Sequence, residues 1–86
     1  MKQKKHYVYL IECADTTYYC GSSKDVQKRF EAHSKKRGAK YTKYRLPLKL
    51  VYVEECCSLK EAMRREIAIK RMKRKQKELL VASGKT

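Results

Sequence analysis

Tyr7-Val8-Tyr9-Leu10-Ile11 is the stretch that decides the fold, and Tyr18-Tyr19-Cys20-Gly21 is its partner. β-branched and aromatic residues favour strands, so the first run predicts a buried strand. The polar turn Ala14-Asp15-Thr16-Thr17 separates the two runs, which together predict a hairpin with a loop of about four residues. We expect the second strand to end at Gly21, at a position where the backbone φ needs to be positive.

The rest of the chain predicts three helices and one more strand. Ser22, Ser23 or Asp25 can cap the first helix, and Ser58 with Glu61 forms a capping-box pattern before the second. The order is β-β-α-β-α-α, which indicates a small α/β domain with a three-stranded, largely antiparallel sheet flanked by helices. The expected bounds are helices over Val26 to about Lys36 (with Gly38 as the stop), Leu59 to about Met72 and Lys73 to Ala82, and a strand over Leu48 to Cys56.

Charge is the strongest compositional signal. The chain has 23 Lys and Arg against 9 acidic residues, a formal net charge of +14. A small domain tolerates such a charge most often because its partner is a polyanion, usually nucleic acid. An anionic membrane surface is the alternative, but the basic residues are spread along the chain and do not form one amphipathic helix. No obligate protein partner is indicated.

Length predicts a single domain over residues 1–86, with a core at about 6–72 and a basic C-terminal helix at about 73–82. No apolar run approaches the roughly 20 residues that span a bilayer, and the first one is too short for a signal peptide, so we expect a cytoplasmic protein. The four cysteines are then expected to be thiols. Adjacent Cys56 and Cys57 match no standard zinc spacing.

One carboxylate lies on an apolar helix face. At 100° per residue, Glu66 falls in the middle of the face that carries Leu59, Ala62, Met63 and Ile69. A carboxylate among apolar groups needs a partner or a metal ion. Glu66 is therefore a candidate metal ligand, and an ion pair with an arginine is the alternative.

The first helix has a similar polar pair. Arg29 and His33 share the i, i+3, i+4, i+7 stripe of Val26 and Phe30, which should face the sheet. The planar guanidinium of an arginine suits a phosphate, and a histidine can accept a proton or orient a neighbour. The alternative is an Arg29 that extends to solvent and a His33 that is only a hydrogen-bonded partner.

Tyrosines and a basic segment complete the candidate residues. Tyr9 and Tyr19 fall in the hairpin strands, where a phenol beside Arg29 could act as general base or position water, or could simply fill the core. Lys70 begins a charge run to Lys77 that suits phosphate contacts or a solvated face. A mixture of basic and aromatic groups binds nucleic acid by charge and stacking, and such a loop contains Lys40, Tyr41, Lys43 and Arg45.

Together these motifs resemble the GIY-YIG nuclease family. The two hairpin motifs of that family resemble Tyr7-Val8-Tyr9 and Tyr19-Cys20-Gly21, and Tyr19 follows Tyr9 at the expected spacing of ten positions. An arginine eight residues beyond the glycine of the second motif, and a histidine four residues later, match Arg29 and His33. The resemblance covers residues 6 to 72 approximately.

The later part of the resemblance concerns the metal ligand. The family places its metal-binding glutamate in a pattern like E-A-x-x-x-E-x-x-I-K, which matches Glu61 to Lys70 and makes Glu66 the ligand. The loop Gly38-Ala39-Lys40-Tyr41-Thr42 is similar to that of small, single-domain members. Two features depart from the family: Tyr7 replaces the glycine of the first motif, and the chain has no asparagine, which many cleaving members use.

The resemblance implies a metal-dependent endonuclease that hydrolyses phosphodiester bonds, with DNA as the expected substrate. One Mg²⁺ or Mn²⁺ on Glu66 polarises the phosphate, Arg29 neutralises charge on it, and Tyr9 or Tyr19 acts as general base. His33 takes the proton onward, and the products have a 5′ phosphate and a 3′ hydroxyl. The alternatives are a non-catalytic nucleic-acid-binding module on the same fold and a basic protein associated with RNA or ribosomes.

Overall fold

The structure is a computed structural model that describes residues 5–35 and 46–84. The β-β-α-β-α-α order predicted from the sequence is confirmed, and so is the antiparallel sheet. The elements are β1 His6–Glu12, β2 Tyr18–Ser23, α1 Val26–Ser34, β3 Lys49–Cys56, α2 Leu59–Lys70 and α3 Arg74–Ala82. In the described part of the chain, no helix is long and apolar enough to cross a membrane.

The sheet has the strand order β2-β1-β3, so β2 is an edge strand beside the central β1. Tyr9 pairs with Gly21 and Leu10 pairs with Cys20. Paired residues lie on the same face and successive residues alternate, so Tyr9, Tyr19 and Gly21 share one face, and Leu10 and Cys20 lie on the other. The β1–β3 register shifts between Leu10 and Ile11.

The main core lies between α2, α3 and one face of the sheet. Leu10, Ala62 and Ile69 are completely buried there, so helix α2 is anchored through positions seven residues apart. Side chains of α3 pack against the edge of this core. Its buried members are Val8, Leu10, Cys20, Val51, Tyr52, Cys56, Ala62 and Ile69. The opposite face carries Tyr9 and is covered in part by α1, whose His33 is completely buried.

The prediction for Gly21 was wrong. Strand β2 runs on to Ser23, and no described glycine has a positive φ. The glycine is required by a close approach, because a Cβ at position 21 would lie 2.6 Å from the Tyr9 hydroxyl oxygen. The positive φ belongs instead to Thr16 in the hairpin turn, at 66°.

The helix ends differ from prediction by one or two residues. Helix α1 ends at Ser34, and its predicted stop at Gly38 lies outside the described residues. The Asp25 side chain caps α1 by accepting from the Lys28 N–H at 3.0 Å. Helix α2 ends at Lys70 and not at Met72, and α3 begins at Arg74 and not at Lys73.

The cap of α2 differs from the capping-box pattern in one bond. Ser58 Oγ accepts from the Glu61 N–H at 3.2 Å, as the pattern predicts. The Glu61 carboxylate, however, accepts from the N–H of Cys57 and not from that of Ser58. This bond extends the cap by one residue toward strand β3.

The apolar face predicted for α2 was also partly wrong. Leu59 and Met63 are 53% and 52% exposed, while Ala62 and Ile69 are fully buried. The buried face is centred further round the helix, because α2 crosses β2 and β1 with its 62 and 69 positions inward. Glu66 consequently lies at the edge of the packed face, where its carboxylate can reach both protein and solvent.

Helix α3 is fastened to the β1–β2 turn. Arg74 Nη1 donates to the Thr16 carbonyl oxygen at 2.7 Å, and the Arg74 guanidinium lies 5.2 Å from the ring centroid of Tyr18. Arg74 also pairs with Glu78 at 3.0 Å. This member of the predicted phosphate-binding run is therefore engaged within the protein.

Candidate active site

The Tyr9 phenol lies over Gly21 in the centre of one sheet face. Its hydroxyl oxygen and Cζ would lie 2.6 and 2.8 Å from a Cβ at position 21, and Cε2 of Tyr19 would lie 3.2 Å from it. Real Cβ contacts are not that short, so only glycine admits the phenol at this place. Because Gly21 has no side chain, the Tyr9 and Tyr19 rings can approach each other at this position.

Tyr9 contacts helix α1 through its hydroxyl. The hydroxyl is hydrogen-bonded to His33, 3.2 Å from Nε2. Burial raises the pKa of Tyr9 to about 12, although Arg29, one turn before His33, acts to lower it. Burial and the Arg29 charge both lower the pKa of His33 from its usual 6.5, so this imidazole is neutral at pH 7. A neutral imidazole beside a phenol can accept the proton of the phenol.

Tyr19 packs against His33, the residue that is hydrogen-bonded to Tyr9. Its ring meets the His33 ring edge-to-face, with centroids 5.2 Å apart, and the Tyr9 and His33 rings meet in the same way at 6.1 Å. The half-buried Tyr19 is more accessible than Tyr9, of which 1% is exposed. Arg29 itself is exposed and lines a cleft of about 240 Å³ together with Ser23, Asp25, Lys28 and Ala32.

Glu66 is held by two partners on the opposite sheet face. Ser22 Oγ donates to Glu66 Oε1 at 2.9 Å, and Lys70 Nζ lies 2.8 Å from Oε2. The cation beside Glu66 is therefore Lys70, one turn along α2, and not the arginine expected as the alternative. Gly21 and Ser22 are successive residues of β2 and lie on opposite faces of the sheet. Gly21 therefore adjoins Tyr9, and Ser22 contacts Glu66.

The two groups lie on opposite faces of the sheet at strand β2, where Gly21 adjoins Tyr9 and Ser22 donates to Glu66. The charge of Glu66 is the smallest of the causes that raise the pKa of Tyr9. The structure thus places Tyr9, Tyr19 and His33 together on the sheet face covered by α1, which also carries Arg29, and Glu66 on the other face beside Ser22. These are the catalytic residues predicted from the sequence.

The residues predicted to bind nucleic acid divide into two sets. Lys70 is 53% exposed and forms its ion pair with Glu66. The other four were expected to contact the nucleic acid by charge and stacking. They lie outside the described residues: Lys40, Tyr41, Lys43 and Arg45.

The donor set fits one hard divalent cation. A carboxylate oxygen is the ligand that Mg²⁺ and Mn²⁺ prefer, and such ions keep several waters when one or two carboxylates bind them. Glu66 supplies one part-exposed carboxylate whose Oε2 lies 2.8 Å from the Lys70 ammonium. No group of three His, Cys, Asp or Glu side chains occurs in the described ranges, so a cage of protein ligands is not formed there.

Sequence reasoning missed two residues that position this site and one, Arg74, that fastens helix α3 outside it. Gly21 was noted for the wrong reason, Ser22 was considered only as a helix cap, and Arg74 only as a member of a charge run. The signal that could have identified Ser22 is strand alternation, which places it opposite Gly21 and toward α2. The contacts of Arg74 join residues that are distant in sequence, so no local pattern indicates them.

Comparison with known proteins shows the family of this chain. A family model described as the GIY-YIG catalytic domain matches residues 5–79. The chain therefore belongs to the GIY-YIG family. It is 52% identical to a UPF0213 protein of Halobacterium salinarum over 75 residues, which are 87% of this chain and 97% of the relative. It is 44% identical to a UPF0213 protein of Staphylococcus saprophyticus over 80 residues, covering 93% and 98% of the two chains.

Two solution NMR structures resemble the fold. The UPF0213 protein BH0048 of Bacillus halodurans is 44% identical, with a TM-score of 0.59 over 91% of this chain and 83% of that one. The protein EF2693 of E. faecalis is 32% identical, with a TM-score of 0.64 over 95% and 88%. Membership of the GIY-YIG family implies nuclease activity in general, a nucleic-acid substrate and dependence on a divalent metal ion.

Proposed function

We propose that this protein is an endonuclease that hydrolyses phosphodiester bonds of DNA with one divalent cation held by Glu66. The observation that carries the proposal is the hydrogen bond of the buried Tyr9 hydroxyl to His33, one helical turn after Arg29, with Glu66 held from the same strand β2 by Ser22. With its pKa raised to about 12, the Tyr9 phenol is protonated at pH 7, so it can accept a proton from water only as it passes its own proton to the neutral His33.

The chain supplies a clamp for the phosphate. Arg29 is exposed at the mouth of the cleft beside α1, where its guanidinium can bind two oxygens of a phosphate and neutralise charge that grows in the transition state. Arg29 lies one helical turn before His33, the hydrogen-bond partner of Tyr9. The bound metal ion would supply Lewis acidity toward the scissile phosphate and the leaving oxygen.

The chain also supplies a proton path. Tyr9 accepts a proton from the attacking water and passes its own hydroxyl proton to Nε2 of His33, with which it is already hydrogen-bonded. His33 is ready to accept because its lowered pKa keeps it neutral at pH 7. Tyr19 packs edge-to-face on the same imidazole, while the Tyr9 hydroxyl is hydrogen-bonded to Nε2, which favours Tyr9 as the base and Tyr19 as the positioning residue.

Glu66 is positioned from strand β2. Ser22 donates to Oε1, which leaves Oε2 as the oxygen directed toward a cation. The expected products have a 5′ phosphate and a 3′ hydroxyl, as in the family that the hairpin motifs resemble. Strong base-sequence specificity is not expected, since phosphate contacts position a strand without specifying its sequence.

The second candidate is a non-catalytic DNA-binding module on the same fold. One observation favours it: the Lys70 ammonium already neutralises Glu66, so the carboxylate does not need a metal ion for its own stability. The net charge of +14 serves both functions equally.

Cleavage of labelled DNA separates the two candidates. Single-stranded, duplex and branched DNA are incubated with Mg²⁺ or Mn²⁺ and wild type, Glu66→Gln or Arg29→Ala, with Glu55→Gln as a control for loss of an exposed carboxylate. The proposal expects Arg29→Ala to lose about 10²- to 10³-fold in rate, as for other transition-state donors. Equal inertness of wild type and variants, with salt-dependent binding by all, would instead establish the binding module.

A further inference from the structure

Both carboxylate oxygens of Glu66 are engaged before any metal ion arrives. Ser22 occupies Oε1 with a neutral hydroxyl, and Lys70 places a full positive charge 2.8 Å from Oε2. The Glu66 side chain is 22% exposed and that of Lys70 is 53% exposed. The oxygen that a divalent cation requires is therefore already in contact with a cation of the protein.

Lys70 is able to leave this position easily. It is the last residue of α2, and its ammonium is carried by a flexible four-carbon chain. An ion pair between exposed residues four apart on a helix is weak. Rotation of the side chain alone removes the ammonium from Glu66, and helix α2 stays anchored by Ile69 in the core.

The positive charge of Lys70 beside Glu66 makes it unfavourable for a metal ion to bind Glu66 while Lys70 stays in place. Two basic residues of α2 are neighbours of Glu66: Arg65, which precedes it in the chain, and Lys70, whose Nζ lies 2.8 Å from Oε2. Arg65 is held by Glu54 at 2.6 Å. A divalent ion on Oε2 would lie within a few ångströms of the Lys70 ammonium, and the repulsion drives one of the two away.

We propose that Lys70 is an exchangeable counter-ion, displaced from Glu66 by the divalent cation and then bound to a phosphate of the DNA strand. The proposal rests on the proposed function, because Glu66 is a metal ligand only there. Ser22 keeps Oε1 in place during the exchange. Metal and DNA then bind cooperatively, since the metal frees a cation that the DNA uses.

The first measurement is Mn²⁺ binding in the absence of DNA, by isothermal titration calorimetry on the full chain. Lys70→Met keeps the length of the side chain and removes its charge. We expect Lys70→Met to bind Mn²⁺ about three- to ten-fold more tightly than wild type, because a competing and repelling cation is gone. Lys60→Met is the matched control: it removes an exposed lysine from the same helix, about 15 Å away, and should leave the affinity unchanged.

The second measurement is the salt dependence of duplex DNA binding by wild type and Lys70→Met. With Ca²⁺ present, the slope of log K against log salt should be shallower for Lys70→Met by about 0.9, the loss of one phosphate contact. With EDTA the two slopes should agree more closely, since Lys70 is then held by Glu66 in the wild type.

The outcomes separate failure of the exchange from failure of the proposed function. If Glu66→Gln abolishes Mn²⁺ binding but Lys70→Met and wild type bind equally, the exchange is wrong and the metal site stands. If wild type and Lys70→Met both bind Mn²⁺ no better than Glu66→Gln, the metal site is wrong and the exchange falls with it. Tighter binding by Lys70→Met that disappears in the Glu66→Gln, Lys70→Met double variant supports both.

Discussion

The two sheet faces at strand β2 hold their functional groups by different forces. On one face, Tyr9 and His33 are buried, uncharged at pH 7 and joined by a hydrogen bond. On the other face, Glu66 and Lys70 are charged, partly exposed and joined by an ion pair. Gly21 and Ser22 are adjacent residues of β2. Gly21 contacts Tyr9 on the first face, and Ser22 contacts Glu66 on the second.

This difference indicates that the two faces have different roles within the site. Buried, well-packed groups adopt one geometry, because displacing them creates cavities or unsatisfied polar atoms. Exposed ion pairs exchange with other ions at little cost. The phenol face is therefore suited to fixed proton transfer, and the carboxylate face to a cation that enters and leaves with each substrate.

The largest expected effect comes from removing the buried hydroxyl. Tyr9→Phe should reduce the cleavage rate about 10²- to 10⁴-fold, the usual contribution of a general base. Tyr19→Phe should cost much less, since its ring still packs on His33. Single-turnover cleavage in Mn²⁺ compares the two. Tyr7→Phe is the control, because Tyr7 lies on the same face of β1 two residues earlier. A larger loss from Tyr19→Phe would reverse the assignment of the base.

Gly21→Ala tests how tightly the phenol face is packed. The added Cβ would overlap the Tyr9 hydroxyl and Cζ, so we expect about 1–3 kcal/mol of destabilisation, as for other overpacking changes. Urea unfolding measures it. In the Tyr9→Phe background the cost should be smaller, because the nearest clashing atom is gone. Equal costs in the two backgrounds would show that the strand moves instead of the phenol.

Helix α3 gives a comparison outside the site. Arg74→Ala removes a hydrogen bond to the Thr16 carbonyl and a contact with the Tyr18 ring. We expect a loss of roughly 1 kcal/mol in unfolding free energy, because both contacts are exposed or half-exposed. Chemical denaturation checks this, with Lys75→Ala on the same helix as the control. A weaker DNA affinity without any loss of stability would assign Arg74 to substrate binding.

The pH dependence of stability should reveal the buried histidine. The pKa of His33 is lowered in the folded protein from the usual 6.5, so the unfolded chain binds a proton more readily. Its contribution to stability is complete above pH 6.5 and is lost as the pH falls below that value. Between pH 7 and 5 the unfolding free energy of wild type should decline by less than about 1.4 kcal/mol per pH unit.

His33→Gln isolates this effect by removing the titrating group, and its stability should vary less over the same range. Carboxylates act in a different window. Burial raises the pKa of Glu54, but hydrogen bonds from Arg65 and Tyr52 outweigh that effect and lower it below the usual 4.5. Its contribution is lost only at pH values below 4.5. Parallel curves for wild type and His33→Gln above pH 5 would contradict a buried neutral His33.

The sequence predicted the parts of the molecule that depend on local pattern. Strand periodicity located β1 and β2, and the spacing from Gly21 located Arg29 and His33. The exposed Leu59 and Met63 show where that reasoning fails: helix periodicity gives the relative angles of residues, and the packing of α2 on the sheet decides which are buried.

The site details that escaped prediction are all contacts between distant residues. Ser22 meets Glu66 across 44 positions of the chain, and Tyr9 approaches Gly21 only because their strands pair in one register. No periodicity within either segment encodes such contacts. The choice of Lys70 as the partner of Glu66 was within reach, since residues four apart on a helix are neighbours.

Single-turnover cleavage of labelled DNA in Mn²⁺ tests most directly whether the two faces form one catalytic site. Wild type is compared with Tyr9→Phe, Glu66→Gln and the double variant. Groups that act as a unit are strongly non-additive, so the account predicts that each single variant loses at least about 10²-fold and the double variant is about as slow as the slower single one. Wild type that cleaves no faster than the double variant, or Glu66→Gln that cleaves at the wild-type rate, would contradict it.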